Sequence, residues 1–375
     1  MPKLVYLCDW LPPDFGAVGQ YSSLFARERA AAGDEVTLVG LSSTGDTLGE
    51  EAVGRGHLTT LRMYAPSYDR ANFRARAQWT LRTNARLVWR ARAALAAADE
   101  ILFTGSPPFL LHFLAPAKLL LRKELTYRIT DFHPECLLAE IAASTGRQAP
   151  APLRLFHLLT LALRNQVDAF EVLGEDQRQR LLEIGIPAER ITLKRDPSPV
   201  EIPPGTEPLP LPPALAGKVV LLYSGNFGVA HDHETFVAGY RRHHHEGSGR
   251  VALWLNATGA KADRVEELLS AEDLPVFRSR PVPLADLPRL LMAPAAHLIT
   301  LRDEFVGFVL PSKVYGCLAS GKPLLYVGSR RSDVHLLAQR SLAAECYFPC
   351  AVGDADAVFT ALEALANTAA GHGIV

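Results

Sequence analysis

The chain has 375 residues, 48% of them hydrophobic, and a formal net charge of −1, which suits two domains of ordinary size with sizeable cores. Near-neutral charge excludes a global attraction to nucleic acid or to anionic membrane, so any such contact must rest on a local patch. The N-terminus has no basic region ahead of an apolar stretch and no apolar run is long enough to span a bilayer, so the expectation is a cytoplasmic protein.

Five cysteines (Cys8, Cys136, Cys317, Cys346, Cys350) are odd in number and scattered. They read as free thiols in a reducing compartment. Cys346 and Cys350 have no matching ligand pair, which argues against zinc.

Lys3–Cys8 is a short apolar run of the kind that forms a buried parallel strand. The loop DWLPPDFGAVGQ follows, with a helix predicted to start near Gly19. Gly16 and Gly19 either let backbone approach a ligand at that helix start or serve packing alone. Glu35–Gly40 reads as the second strand, which begins a doubly wound α/β domain.

Residues 68–98 differ in character. Seven arginines (Arg70, Arg74, Arg76, Arg82, Arg86, Arg90, Arg92) occur with no acid between Arg70 and Ala98. Ala77, Leu81, Ala85, Val88 and Leu95 form a stripe at helical spacing, predicted to face the core. Arg82, Arg86 and Arg90 align on another face, flanked by Trp79 and Trp89. Such a face suits an anionic lipid surface or a phosphate-bearing acceptor, or is a solvated face paired with acids elsewhere.

Strands are predicted at Glu100–Phe103 and Leu125–Thr130. The second runs into Asp131, Phe132, His133, Pro134 and Glu135. Three titratable groups at a strand's C-terminal end mark a candidate site, where Asp131 and His133 would orient or deprotonate a hydroxyl. The plainer reading has Asp131 capping the next helix. Asp168–Leu173, a helix and Arg190–Lys194 complete a first domain, residues 1–195.

Residues 196–213 hold eight prolines, and 196–217 therefore reads as a stiff connector to a second domain, 218–375. That domain opens with a strand, Lys218–Tyr223, and the small-residue loop SGNFG. His243, His244 and His245 read as a solvated helix end. ATGAK, another glycine loop, places Lys261 within reach of a phosphate.

Leu301–Pro323 (LRDEFVGFVLPSKVYGCLASGKP) reads as strand end, polar loop, helix and strand. Glu304 and Gly307 sit in the loop, and Pro311, Ser312 and Lys313 open the helix, whose N-terminus offers a positive dipole end to an anion.

Several segments together resemble one family. YSGNFGVAHDHETF, LRDEFVGFVLPSKVYGCLASGKPLLYVGS, TGSPPFLLHFLAPA and TDFHPE are similar to the family-4 retaining glycosyltransferases, in particular bacterial members that build surface polysaccharides. The resemblance implies an α/β fold of two facing Rossmann-like domains with a cleft between them (GT-B type). The first would be acceptor-side and the second would bind the nucleotide sugar. It implies sugar transfer from a nucleoside-diphosphate donor, UDP-linked, to a hydroxyl of a lipid-linked or small cytoplasmic acceptor, with no cofactor and no metal. Peripheral contact with the inner membrane face through Arg82, Arg86 and Arg90 is a further expectation.

By that resemblance Gly225, Asn226 and Gly228 would hold the diphosphate through backbone amides, and the loop with Arg280 would hold the base. Glu304 matches the first acid of the family's Glu-x7-Glu motif, which binds sugar hydroxyls, and the backbone of Gly307, Phe308 and Val309 would lie against sugar and phosphate. The sequence departs at the second acid, where Ser312 stands, and in the cations after SGNFG, for which Lys261 and Lys313 are the preferred substitutes. His133 and Asp131 would touch acceptor or donor sugar, and Gly16 and Gly19 would form a loop closing over the cleft. Two alternatives stay open: a UDP-sugar 2-epimerase, and a non-catalytic nucleotide- or partner-binding protein of the same fold.

Overall fold

The computed structural model describes residues 1–14, 17–66 and 73–371. They form two compact units, Met1–Asp196 and Pro197–Val375.

In the first unit the strands are β1 (Lys3–Trp10), β2 (Glu35–Ser42), β3 (Thr47–Val53), β4 (Gly56–Tyr64), β5 (Glu100–Thr104), β6 (Glu124–Ile129), β7 (Ala169–Val172) and β8 (Ile191–Leu193). The helices are α1 (Ala17–Ala32), α2 (Phe73–Ala97), α3 (Leu111–Leu121), α4 (Glu135–Thr145), α5 (Ala151–Arg164) and α6 (Glu175–Glu183). The sheet runs β3-β4-β2-β1-β5-β6-β7-β8, and only the β3–β4 pair is antiparallel. Leu4 to Cys8 of β1 are all buried, as a central parallel strand covered on both faces requires. The β3–β4 hairpin is absent from the sequence expectations. Residues 47–52 of β3 are all exposed, so the strand carries no apolar alternation to detect.

The buried face of α2 also differs from expectation. Thr80, Thr83, Asn84, Leu87, Ala91 and Leu95 point inward, whereas Ala77, Leu81 and Ala85 face solvent. Leu87, Ala91 and Leu95 pack on this face, and the Asn84 amide donates to the Pro108 carbonyl at 2.8 Å in the neighbouring loop. Two leucines and a polar anchor on this face outweigh the alanines and single leucine of the rival face.

The second unit contains β9 (Val219–Asn226), β10 (Val251–Thr258), β11 (Val276–Ser279), β12 (Ala296–Thr300), β13 (Leu324–Val327) and β14 (Tyr347–Cys350). Its helices are α7 (Glu234–His245), α8 (Ala260–Ser270), α9 (Leu287–Met292), α10 (Lys313–Ala319), α11 (Asp333–Ser341) and α12 (Ala355–Gly371). All six strands are parallel, in the order β11-β10-β9-β12-β13-β14. This is the doubly wound order, with the first strand central. Alternation along β9 builds both layers of core. Val219, Leu221 and Tyr223 pack with α7, α8 and α12, while Val220 and Leu222 pack with Trp254 and Leu290.

Part of the proline-rich stretch packs on the second unit. Leu209 and Leu215 join the cluster around Trp254, and the Leu209 amide donates to the Arg289 carbonyl at 2.9 Å. The unit boundary falls after Asp196, whose carboxylate holds Arg128 at 2.5 Å inside the first unit. The histidine run is not solvated throughout either. His243 is fully buried, and joins α7 to α12 through Glu363 at 2.5 Å. All five cysteines are free thiols, with Cys8, Cys317 and Cys350 buried.

Candidate functional site

In the second unit all strands end at one edge. The chain leaves β9 towards β10 and leaves β12 towards β13, so a crevice opens between β9 and β12, where doubly wound sheets bind ligands. SGNFG lies there, but its first part is strand: Gly225 and Asn226 pair with Ala257 and Thr258 of β10.

Lys313, the first residue of α10, crosses to β9. Its Nζ lies 3.5 Å from the centroid of the Tyr223 ring. Among the described residues this buried ammonium has no hydrogen-bond partner. Gly225 has φ +114°, and a Cβ there would stand 3.7 Å from Lys313 Cε and 3.9 Å from Nζ. Glycine thus leaves the space beside the cation open. Burial pushes the Lys313 ammonium down to about 7. The Tyr223 ring face offsets part of the desolvation, and a bound anion would offset more.

His231 completes this corner. Its Nδ1–H donates to the Thr300 carbonyl at 2.5 Å, and its ring stands edge-on to Tyr223 and Phe227. Burial, then the Lys313 charge, hold the imidazole down to about 3, so it stays neutral. Tyr223, His231 and Thr300 were not among the expected site residues. Their role arises from packing, and no local pattern marks it.

The neighbouring strand ends are tied together by Asn256. Its amide donates to Ser279 Oγ at 2.9 Å and to the Arg280 carbonyl at 2.6 Å, and Ser224 Oγ donates to its Oδ1 at 3.4 Å. Arg280 is exposed beyond that fixed turn. Gly228 lies beside the Asn226 side chain, 3.2 Å from its amide nitrogen for an added Cβ. Lys261 sits in the first turn of α8, its amide bonded to the Phe227 carbonyl at 3.1 Å. It is close enough to lower His233, after the larger effect of burial.

Beyond β12, Glu304 lies in a 3₁₀ turn, Asp303–Phe305, pinned by the buried Phe305 ring. Its carboxylate is about half exposed and 3.5 Å from Arg302, a pairing that leaves oxygens open to a ligand. Gly307 turns the chain with φ +78°. The amides of Phe308 and Val309 both donate to the Phe305 carbonyl, so they are engaged within the turn rather than presented to a ligand. Ser312 precedes α10 without a side-chain capping bond. The expected dipole site is also reduced. The helix has seven residues, and the Val314 and Tyr315 amides donate to the Pro311 and Ser312 carbonyls. The positive charge at this helix start therefore comes from the Lys313 side chain.

Asp131 and His133 belong to the first unit. Ser106 Oγ, after β5, donates to Asp9 Oδ2 at the end of β1 at 2.5 Å. Burial, then the Asp9 charge, raise Asp131 to about 6. No side chain caps α4, so Asp131 is not its cap. The His133 ring meets Phe109 edge-on at 5.9 Å, and its carbonyl accepts from Arg164 at 3.1 Å. Glu135, third of the titratable groups, is structural. It is buried against Arg164 and accepts from His157 at 3.1 Å.

Gly16 lies outside the described residues. Gly19 is buried in α1 with no room for a side chain, since a Cβ would sit 1.7 Å from the Trp10 carbonyl oxygen. Its glycine serves helix-on-strand packing. Of the three aligned arginines of α2, Arg82 and Arg86 are exposed and Arg90 is paired to Asp46 at 2.8 Å. Trp79 turns inward, stacked on Trp10 and bonded to the Pro66 carbonyl. Among the described residues no group of three His, Cys, Asp or Glu side chains could hold a metal ion.

No protein-family model and no curated protein matches the chain. Solved structures do. Sucrose-phosphate synthase from Thermosynechococcus elongatus superposes with a TM-score of 0.65 at 15% identity, covering 98% of this chain and 92% of that one. An E. coli trehalose-6-phosphate protein bound with UDP-2-fluoro glucose gives 0.62 at 15% identity, covering 96% and 90%. Anabaena HepE in complex with UDP-glucose gives 0.59 at 12%, covering 98% and 89%. Identities this low establish the fold, which is the GT-B fold with two parallel-sheet domains.

Proposed function

We propose that the chain is a glycosyltransferase that moves a sugar from a nucleoside-diphosphate donor, UDP-linked, to an acceptor hydroxyl. Fold alone does not fix an activity. The observation that carries the reading is Lys313, whose buried ammonium lies over the Tyr223 ring at the end of the first strand of a doubly wound sheet and has no hydrogen-bond partner among the described residues. A diphosphate supplies the missing acceptor, and the UDP-sugars bound to proteins of the same fold make it the fitting ligand class.

The bond between the anomeric carbon and the diphosphate oxygen breaks, and a bond from that carbon to the acceptor oxygen forms on the same face, with retention. The acceptor proton passes to the departing diphosphate. Lys313, with Lys261, neutralises the charge that develops there, which lets the reaction run without a metal. Glu304 accepts hydrogen bonds from sugar hydroxyls. Ser312 stands where a second acid would bind ribose, so its hydroxyl, rather than a carboxylate, meets that end of the donor. Asp131 orients the acceptor hydroxyl.

The test is a thermal-shift screen with UDP-, GDP-, ADP- and TDP-sugars, followed by nucleotide release on prolonged incubation. UDP-sugars should raise the melting temperature most, by mass action, and release UDP slowly. Accumulation of a free 2-epimer would replace transfer by isomerisation. Nucleotide binding without turnover of any donor, even with lipid-linked acceptors present, would make the chain a binding protein.

A further inference from the structure

The first unit has a switch point of its own. The chain leaves β1 towards β2 and leaves β5 towards β6, so a crevice opens between the C-terminal ends of β1 and β5. Three connections meet there. Ser106, in the loop between β5 and α3, donates to Asp9 near the end of β1 at 2.5 Å. The same loop lies against the turn after β6, where a Cβ on Gly105 would stand 2.9 Å from the Asp131 carbonyl oxygen. Phe109, further along the loop, meets the His133 ring edge-on at 5.9 Å.

Phe109 is the unusual member of this group. Its φ is +69°, a left-handed conformation that a bulky side chain rarely adopts. The surroundings impose it from both sides. Asn84 holds the Pro108 carbonyl at 2.8 Å, and the carbonyls of Phe109 and Leu110 accept from the His112, Phe113 and Leu114 amides at the start of α3. Glycine would adopt this conformation freely, yet the chain places an aromatic ring there. That ring does not close a core. It is partly exposed, and it meets His133, His112 and Phe156 at interplanar angles of 65°, 78° and 79°. Among the described residues no ring lies parallel to it, so it has no stacked partner. Backbone strain held in place by its surroundings clusters at ligand clamps and active sites.

We infer that Phe109 is a sugar-contact residue, its ring stacking on the C–H face of an acceptor pyranose whose hydroxyls bond to Asp131 and Asp9. A flat apolar ring beside carboxylates suits a pyranose, which carries a C–H face and a rim of hydroxyls. A cationic ligand fits less well, because it would need both acids ionised. Burial, then the Asp9 charge, push Asp131 up to about 6, and Ser106 already donates to Asp9. Hydroxyls can donate to a carboxylate and accept from a carboxyl. Calling the pyranose an acceptor rests on the transfer reading, whereas its binding at Phe109 does not.

The test is saturation-transfer NMR of the full chain with the methyl glycosides of glucose, galactose, mannose and N-acetylglucosamine, with UDP present. At least one glycoside should bind, with transfer strongest to the protons of one ring face. Phe109→Gly keeps the backbone conformation and removes the ring, and should raise that glycoside's Kd at least about tenfold. Phe109→Leu, which keeps apolar bulk without a flat face, should do the same, and Phe109→Tyr should bind as wild type. A residue that only packed the loop would change the melting temperature without this pattern. Binding of none of the glycosides overturns the inference, as does unchanged binding by the folded glycine or leucine variant. Binding of tetramethylammonium that no glycoside displaces would overturn it too, and make the crevice a cation site. A thermal shift with UDP-glucose on the same proteins reports the donor side and should be equal in all of them. No shift in the wild type, with glycosides still bound at Phe109, would sink the transfer reading and leave the sugar site standing.

Discussion

Lys313 and Tyr223 meet with the ammonium 3.5 Å from the ring centroid, in a corner where no described acceptor reaches the cation. The pair costs stability in the free protein. Lysine's ordinary value is 10.5 and burial pushes Lys313 down to about 7. Between those values the unfolded chain holds a proton that the folded chain releases, so this residue makes stability rise with pH across that window. Lys313→Met should therefore raise the melting temperature of the free protein at pH 7 and below, with a smaller gain above pH 10. It should also weaken UDP binding by about 10- to 100-fold, the loss of one charge-assisted hydrogen bond. Calorimetry with and without UDP checks both signs. A variant that is less stable and binds UDP normally would make Lys313 a packing residue.

Glu304→Ala should reduce kcat/KM at least about 100-fold on the best donor found. Stability should stay within about 0.5 kcal/mol, because the carboxylate is half exposed and its ion pair to Arg302 is a long one. Initial rates and a urea melt read the two effects. Near-wild-type turnover would remove Glu304 from the site.

Burial, then the Asp9 charge, push Asp131 up to about 6 by disfavouring its ionised form. In the proposed role of orienting the acceptor it would act as a carboxylate, so kcat/KM should fall as pH drops below about 6. Asp131→Asn should lower the rate and flatten that acid limb. An unchanged limb in the variant would trace the ionisation to another group.

Glu135 is a stability determinant rather than a site residue. Burial opposes its ionisation, but the bonds from Arg164 and His157 prevail and hold it down to about 2. Its folded value lies below the ordinary 4.5, so it stabilises the fold above about pH 4.5 and that contribution is lost as pH falls towards 2. Glu135→Gln leaves Arg164 buried without its counter-charge and should cost about 3–5 kcal/mol at neutral pH. Chemical denaturation at pH 7 and an acid titration of the fold measure the two consequences.

Local composition alone indicated two α/β units and most strand positions. Buried parallel strands such as Leu4–Cys8 and Val251–Leu255 are continuous apolar runs, a signal independent of partners. Glu304, Gly225 and Lys313 stood out as candidates before any neighbour was known, from their place in strand–loop–helix units and from the family resemblance. Tertiary structure decided what surrounds each of those groups. The polar β3 hairpin exists because β4 offers it an edge, which no pattern within Thr47–Val53 reveals. Gly19 and Gly225 are both glycines of a first strand–helix connection, yet the Cβ position of one is filled by the Trp10 carbonyl and the other lies beside the Lys313 ammonium. Arg90 and Trp79 left the expected basic face for Asp46 and Trp10, while the leucines of α5 turned outward. The helix dipole first expected at Ser312 is largely spent within its own short turn, and the charge moved to Lys313. Pairings between residues distant in sequence carry no local signature, and their energies appear only when the chain closes.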